Sequence, residues 1–321
     1  MYQLLPWVIT LDSKQVKIRN VGVCLLITYC VLLGFERDRS LLAQIEFPRL
    51  FEDVMNDTVR LSAEEREALR KVDVPLAKEK EYGDSIFSGF KNQLATQGIS
   101  ISDKNRDAKY LMALANRVKP LLQNARRYPQ LRIYVVDSPD VDARSIPGGI
   151  LIFYRGLFES AESEAALIGI VGHELSHLDR RHQLKPLQQQ ELAQQQFQRM
   201  ATQGQFNPRD FFDFGKLSMN SFHPFHPDEE AEADLDAVVW MYQLGYQPTE
   251  LGKLFQRLAP GNRPGAEFMP SFLRMHPPFP ERSAKVTEET ARLQQIEPRL
   301  DLIIGRDELK RRSPAKLPKG R

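Results

Sequence analysis

The chain has 321 residues with 44 Lys and Arg against 42 Asp and Glu, so its net charge is only +2. This near-neutral balance excludes an ordinary nucleic-acid-binding protein, because a polyanion binder requires an excess or a dense patch of positive charge. The only cysteines are Cys24 and Cys30, which excludes a disulfide framework or a thiolate zinc cluster and leaves His, Asp and Glu as metal ligands.

The N-terminal region contains an apolar stretch, Val21 to Phe35, that follows Lys14, Lys17 and Arg19. Its length of about fifteen residues suits the apolar part of a secretory signal better than a transmembrane helix, which needs about twenty apolar residues. No small-x-small cleavage site follows it, so residues 1–45 are predicted to be either a signal peptide or an uncleaved membrane anchor. The positive flank stays in the cytoplasm in both cases, which predicts an extracytoplasmic location in the cell envelope and association with a membrane through this segment. A buried core helix is the remaining alternative.

Two helical patterns come next in the chain, Leu61 to Val72 behind an N-capping serine and Asp107 to Leu122 with apolar residues at helical spacing. They predict an N-terminal helical layer over about residues 46–125. Leu131 to Val136 is predicted to be a strand, and the turn Pro147-Gly148-Gly149 leads into a second strand, Ile150 to Tyr154.

A long helix is predicted after these strands, capped by Ser160 or Ser163 and apolar on every face from Ala165 to Val171. Together these patterns predict an α+β fold that is predominantly helical, with a small sheet packed against this buried helix. We expect one catalytic domain over residues 46–300, followed by a basic flexible tail over residues 301–321.

Residues 188–205 are rich in glutamine and predict a solvated helix or a mobile insert. A phenylalanine-rich segment follows and is predicted to pack beneath a loop: Phe211, Phe212, Phe214, Phe222 and Phe225. Asp228 to Leu244 is predicted to be a helix that ends before Gly245 and Pro248.

His173, Glu174 and His177 form the pattern H-E-x-x-H inside the most apolar helix of the chain. Residues at i and i+4 lie about 40° apart around a helix, so two imidazoles can bind one ion. Glu174 can then reach a water on that ion as a general base. Burying these polar side chains without a shared partner would be costly, which favours a metal site over satisfied core histidines.

A catalytic zinc needs a third protein ligand and an open position. Glu230 and Asp234 share one face of the later helix, with alanines between them that allow helices to approach closely. Glu230 is the predicted third ligand, and Asp234 is predicted to accept the remaining N–H of a ligand histidine. The other nearby charged and imidazole side chains are predicted to lie on the surface or in loops: His182, His223, His226, Glu232 and Asp236.

The chain resembles the M48 peptidases, a family that includes HtpX-like, Oma1-like and Ste24-like proteases. Four stretches between about residues 80 and 290 carry the resemblance: Pro147-Gly148-Gly149 with the strand after it, His173 to His177 with Arg181-His182, Glu230 to Asp234, and His276-Pro277-Pro278 with Arg282. It implies a zincin fold of the gluzincin type and one Zn²⁺ per chain, held by His173, His177 and Glu230. Asp142 departs from the usual Asn before the turn, and the multispan membrane core of the Ste24-like and HtpX-like branches is missing.

The resemblance also implies that His276 and Arg282 face the cleft. His276 either donates a hydrogen bond to the oxyanion of the transition state or acts as a fourth ligand in a latent state, and Arg282 holds His276 or a substrate carboxylate. Gly149, Ile150, Leu151 and Ile152 are predicted to bind substrate if that strand is a sheet edge that accepts an extended peptide; an interior strand is the alternative.

These features predict a zinc-dependent endopeptidase whose substrates are unfolded or misfolded proteins of the cell envelope, with no nucleic-acid partner. Two other functions are consistent with the same residues. One is a zinc-bound chaperone or scaffold with little turnover, which would not require Glu174. The other is a small-molecule metallohydrolase, which would act on simple esters or amides and not on unfolded protein.

Overall fold

The computed structural model of the chain describes residues 63–203, 225–259, 276 and 280–317, all within the compact unit Ala63–Arg321. Its helices are α1 (Ala63–Arg70), α2 (Leu76–Thr96), α3 (Arg106–Val118), α4 (Gly156–Ala161), α5 (Glu164–Asp179), α6 (Lys185–Gln203), α7 (Pro227–Gln243), α8 (Thr249–Leu258), α9 (Pro280–Ile296) and α10 (Arg306–Arg311). Its strands are β1 (Ile101–Ser102), β2 (Arg132–Val136), β3 (Ala143–Ile146) and β4 (Ile150–Tyr154). The predicted class, mainly helical with a small sheet, is confirmed.

Some predictions fall outside the described residues. They include the N-terminal segment 1–45, His223 and the phenylalanines before Phe225. Within the described ranges, no helix combines the length and apolar character needed to cross a bilayer.

The helix that carries His173 begins where the sequence predicted. Ser163 is its N-cap, and its hydroxyl accepts a hydrogen bond from the backbone N–H of Ala166 at 3.1 Å. Ser160, the other predicted cap, lies inside α4. The sequence analysis did not identify α2 or β3. Two glycines, Gly83 and Gly89, weaken the helical signal of α2.

The sheet has the strand order β1-β2-β4-β3. Strand β4 pairs in parallel with β2 on one side and antiparallel with β3 on the other. The prediction that Gly149, Ile150, Leu151 and Ile152 present a free edge to substrate was therefore wrong, because the backbone groups of β4 are used on both sides. Strand β3 occupies that edge of the sheet instead.

Both faces of β4 are buried, which explains why this strand is apolar at every position. Leu151 and Phe153 belong to the main core, which also contains the apolar residues of α3, α5, α7 and α8. Ile150, Ile152 and Tyr154 point to the other face and pack in a second cluster with α2. The alternation of side chains along a strand divides β4 between these two cores.

Helices α5 and α7 approach closely because small residues meet where they cross. A Cβ at Gly172 would lie 3.4 Å from the Cα and Cβ of Ala237, and a Cβ at Gly169 would lie 3.0 Å from Sδ of Met241. Ala233 and Ala237 are fully buried on α7. This close packing brings the residue after Gly172, which is His173, toward the acidic face of α7.

The described part of the predicted C-terminal tail packs against the domain, so the expectation of a flexible segment does not hold for residues 301–317. Glu164, fully buried at the start of α5, accepts hydrogen bonds from the hydroxyls of Tyr110 at 2.6 Å and Tyr246 at 2.5 Å. It also accepts one from the backbone N–H of Ala315 at 2.9 Å. Leu309 on α10 is buried in the main core. Because this segment is rich in basic side chains, the sequence did not indicate that a few of its apolar residues, such as Leu309, are buried.

Candidate metal centre

Helix α5 carries His173 and His177 on one face, and α7 carries Glu230 and Asp234 on the face that packs against it. Helix α7 begins with a capping box in which His226 is the N-cap and Glu229 the third residue. This cap makes Glu230 part of the first turn, one turn before the Ala233–Ala237 contact with α5. All four predicted residues therefore converge, and all are buried.

The ligand atoms of this cluster have the spacing of a metal site. Nε2 of His173 lies 3.1 Å from Nε2 of His177, and each of these nitrogens lies 3.5 Å from a carboxylate oxygen of Glu230. A tetrahedral zinc with bonds of about 2.0–2.1 Å places its ligand atoms about 3.3 Å apart. The observed distances fit a cation of that size.

His276 completes the cluster. Its Nδ1 lies 3.1 Å from Nε2 of His173 and 2.9 Å from Oε1 of Glu230. Together His173, His177, Glu230 and His276 offer four ligand atoms within 4.8 Å of one another, and all four residues are buried. The sequence placed His276 in the cleft, and the structure places it among the predicted ligands.

Hydrogen bonds on the side of the His173 ring that points away from the cluster fix its orientation. Its Nδ1 lies 2.9 Å from Oδ1 of Asp234, and since a carboxylate only accepts, Nδ1 carries a hydrogen and Nε2 is the nitrogen that faces the cluster. Arg282 donates to both oxygens of Asp234, and its Nη1 lies 3.1 Å from Oε2 of Glu230. Arg282 is only 5% exposed and also donates to the carbonyl of His276 at 3.4 Å. Arg282 thus contacts Asp234, Glu230 and the backbone of His276 at the same time.

Glu174 lies beside the cluster and has unused hydrogen-bonding capacity. Neither of its carboxylate oxygens has a hydrogen-bond partner among the described residues, although Oε1 is 3.4 Å from Nε2 of His276. A buried carboxylate without a donor is costly unless a water, a cation or a substrate group completes it. Its position next to the ligand nitrogens suits a group that handles a proton on a bound water.

The protonation preferences of the acidic groups differ. Burial raises the pKa of Glu174 above its usual value. Burial alone would also raise the pKa of Glu230, but the neighbouring His276 and His173 outweigh it and hold that pKa well below the usual range. Glu230 is therefore favoured as an anion, while Glu174 is the carboxylate that more readily accepts a proton.

The two motif histidines also differ. Burial alone would lower the pKa of His173, but hydrogen bonds to Asp234 and Glu230 raise it to about 9. Burial, followed by the charge of His173, lowers the pKa of His177 well below its usual value. A cation bound at both Nε2 atoms would have to displace the proton that His173 holds at this pKa.

The structure adds three residues that the sequence analysis placed elsewhere. His182 was predicted to lie on the surface but is 3% exposed, with its Nδ1 2.9 Å from Nδ1 of His177. Phe225 stacks on the ring of His177 with ring centroids 3.8 Å apart. Glu232, predicted as a surface charge, lies 3.2 Å from Nε2 of His182. The only sequence signal for this contact was that His182 follows His177 by five residues. Helix α5 ends between the two histidines, so helical spacing could not reveal that their rings meet.

Asp236 was likewise predicted to be a surface charge. It is instead partly buried and accepts hydrogen bonds from Oγ of Ser176 at 2.6 Å and from Nε of Arg180 at 2.6 Å. It therefore holds α5 and α7 together beside the cluster.

A buried H-E-x-x-H helix faced by a carboxylate from a second helix is the arrangement typical of the metallopeptidase class. The particular family follows from a family model, "Peptidase family M48", that matches residues 108–290, more than half of the chain. The chain belongs to peptidase family M48.

Individual relatives match shorter stretches. The chain is 29% identical over 85 residues to the beta-barrel assembly-enhancing protease of Yersinia pestis, a match that covers 26% of this chain and 17% of that protein. It is 25% identical over 168 residues to the mitochondrial metalloendopeptidase OMA1 of Arabidopsis thaliana, covering 49% of this chain and 32% of that protein. It is 31% identical over 107 residues to the mitochondrial metalloendopeptidase OMA1 of Bos taurus, covering 32% and 18% respectively. The matches thus span less than a third of each relative's length.

Proposed function

We propose that the chain is a zinc-dependent endopeptidase with a gluzincin-type centre that cleaves unfolded or misfolded segments of proteins in the cell envelope. The observation that carries this proposal is the spacing of the ligand atoms of His173, His177 and Glu230, with the Glu174 carboxylate beside them. Catalytic zinc sites use three such ligands and leave one position for water or substrate.

The residues fit one Zn²⁺ per chain, held by Nε2 of His173, Nε2 of His177 and the carboxylate of Glu230. When bound, zinc supplies Lewis-acid polarisation of a peptide carbonyl and lowers the pKa of water to about 7. Asp234 keeps His173 in the tautomer that presents its Nε2 lone pair, and Arg282 holds Asp234 in place.

Glu174 acts as the general base. Its carboxylate takes a proton from the attacking water and delivers it to the leaving amine of the cleaved peptide. Burial raises the pKa of Glu174, which brings this proton transfer closer to neutral pH. The lack of another hydrogen-bond donor to either oxygen among the described residues leaves both oxygens available for this role.

His276 has two candidate roles, as a donor to the oxyanion or as a fourth ligand that keeps the site latent. The position of its Nδ1, 3.1 Å from Nε2 of His173 and 2.9 Å from Oε1 of Glu230, supports the second role. In this arrangement its ring lies between the ligand atoms and Glu174, where water and a substrate carbonyl would have to enter.

Strand β3 is the better candidate for holding an extended substrate. Among the described strands it pairs with β4 alone, and it packs against α5, the helix that carries Glu174. A peptide paired with the other side of β3 would need to be extended, which favours unfolded segments as substrates. Ala143 to Ile146 replace the residues of β4 in this role.

The proposed envelope location rests on the sequence of residues 1–45 and is consistent with the name of one relative, the beta-barrel assembly-enhancing protease. A positively charged flank followed by an apolar stretch supports a domain outside the cytoplasm, exported by a cleaved signal or held by a membrane anchor.

The proposal is tested with the purified 321-residue chain and casein as an unfolded substrate. We expect cleavage that a zinc chelator abolishes and added zinc restores, and that Glu174→Gln lowers by 10²-fold or more, roughly the contribution of a general base. Glu159→Gln, which changes an exposed glutamate on α4, should cleave like the wild type. Cleavage that persists in the chelator and in Glu174→Gln would contradict the mechanism. Binding of casein without cleavage would instead indicate the chaperone alternative.

A further inference from the structure

The two histidines of the H-E-x-x-H motif have different partners on the side away from the cluster. Nδ1 of His173 faces the carboxylate of Asp234, whereas Nδ1 of His177 faces another imidazole, Nδ1 of His182, at 2.9 Å. The centroids of these two rings are 5.0 Å apart, and both side chains are buried. The function described above assigns no role to His182.

The backbone between these histidines is folded back by an unusual residue. Helix α5 ends at Asp179, and the backbone of Arg181 has φ of 64°, in the left-handed region that residues other than glycine rarely adopt. A short 3₁₀ helix, His182–Leu184, begins at the next residue. This reversal places the His182 ring beside the last turn of α5, within reach of His177.

The direction of each hydrogen bond follows from the proposed ligand role of His177. If Nε2 of His177 uses its lone pair in the cluster, Nδ1 must carry the hydrogen and donate it to Nδ1 of His182. Nδ1 of His182 then has no hydrogen, so Nε2 of His182 carries one. That nitrogen lies 3.2 Å from Oε2 of Glu232, which accepts it. The two bonds therefore form a chain with a single consistent direction.

Two arginines bind Glu232, the last residue of this hydrogen-bond chain. Arg70 donates to both carboxylate oxygens of Glu232, at 3.3 Å and 3.0 Å, and Nη1 of Arg180 lies 3.3 Å from Oε2. Arg70 is the last residue of α1, so the N-terminal helical layer contributes directly to this arrangement. Phe225 stacks on one face of the His177 ring.

We propose that His182 and Glu232 are positioning residues for His177: they fix its tautomer and ring plane and so set the zinc affinity of the site. The inference rests on the proposed function, because it requires His177 to be a ligand. Partners of this kind raise the basicity of a ligand histidine, and their loss typically weakens metal binding by roughly ten- to hundredfold.

The test compares zinc affinity, measured by competition with a chromogenic chelator, and the visible absorption of the cobalt-substituted protein. The His182→Phe variant keeps a ring of similar size but removes the acceptor, and we expect its zinc Kd to rise roughly ten- to hundredfold. The His182→Asn variant places an amide oxygen near the position of Nδ1, so it should retain most of the affinity. Both variants should also be unfolded thermally in chelator, because a purely structural role would lower that Tm without changing the cobalt spectrum.

A matched pair on α7 keeps the test valid if His182→Phe does not fold. Glu232 and Asp236 both bind Arg180, but Asp236 binds Ser176 rather than an imidazole. Glu232→Gln should raise the zinc Kd several-fold, and Asp236→Asn should leave it within about twofold. Equal affinities in these two variants, or wild-type affinity and cobalt spectrum in His182→Phe, would overturn the inference.

The ligand assignment itself is tested by His177→Ala. If His177→Ala loses zinc while His182→Phe and Glu232→Gln bind it normally, only the positioning role fails. If His177→Ala also binds zinc like the wild type, the proposed metal centre fails, and the positioning role fails with it.

Discussion

Arg282 binds the carboxylate of Asp234 through two hydrogen bonds, from Nε to Oδ2 at 2.7 Å and from Nη2 to Oδ1 at 2.8 Å. Oδ1 of the same carboxylate is also the partner of Nδ1 of His173 at 2.9 Å. Because the guanidinium is planar and donates in parallel, it fixes the plane of the Asp234 carboxylate and therefore the direction in which His173 points. The orientation of a proposed ligand thus depends on α9, a helix that contributes no ligand of its own.

Arg282→Lys should lower zinc affinity although the charge is retained. A lysine ammonium cannot reproduce the two parallel bonds, so Asp234 gains freedom and the zinc Kd should rise about tenfold. Competition with a chelator measures the change. Arg292→Lys is the matched control, because Arg292 is exposed on the same helix and pairs with Glu289. Equal affinity of both variants and the wild type would show that the Arg282 fork does not orient the centre.

His276→Ala should raise the rate of casein cleavage if His276 is a fourth ligand. Removing its ring frees the position between Glu174 and the other ligand atoms, so water and substrate can enter. Initial rates at saturating zinc, with zinc content confirmed at one per chain, measure this effect. A lower rate with unchanged zinc content would instead support a role as oxyanion donor.

Gly83→Ala should destabilise the domain. A Cβ at this position would lie 1.8 Å from the carbonyl oxygen of Pro147, so α2 or the turn before β4 would have to move. We expect a loss of about 2 kcal/mol in the free energy of unfolding, measured by urea denaturation. Gly89→Ala in the same helix has no atom within 4 Å of the new Cβ and should stabilise the domain by about 0.5–1 kcal/mol. Similar behaviour of the two variants would contradict this packing.

Glu164→Ala should destabilise the domain by about 3 kcal/mol. The substitution leaves the hydroxyls of Tyr110 and Tyr246 and the N–H of Ala315 without their buried acceptor. Urea unfolding measures the loss, and limited proteolysis should then cut within residues 305–317 first. Glu159→Ala, at an exposed position nearby, should change stability by no more than about 0.5 kcal/mol. Resistance of Glu164→Ala to both tests would show that the C-terminal segment is held by other contacts.

Local spacing accounts for the part of the site that the sequence revealed. The i and i+4 positions of His173 and His177, and of Glu230 and Asp234, share helix faces by the geometry of the α-helix alone. The capping serine and the apolar run after it likewise predict the start of α5. These features need no knowledge of the rest of the fold, so the four residues could be predicted, and the structure brings them together.

Contacts that depend on chain reversal or on sheet order could not be read in this way. His182 was predicted to lie on the surface. In the structure α5 ends at Asp179, and the positive φ of Arg181 turns the His182 ring back onto His177. The edge role given to β4 failed for a related reason. An apolar strand signals burial, but only the pairing of β3 and β2 with β4 decides which strand is interior.

The sequence by itself determined the residue types of the metal centre and the helix faces on which they lie, because hydrogen bonding within a helix sets their angular positions over a few residues. The tertiary structure decided which side chains form hydrogen bonds with those residues and which strand is available for pairing with a substrate. Small residues at the α5–α7 crossing, the strand order and the turn at Arg181 are set by packing between segments far apart in the chain. Such packing depends on the summed fit of many side chains, which no local pattern encodes.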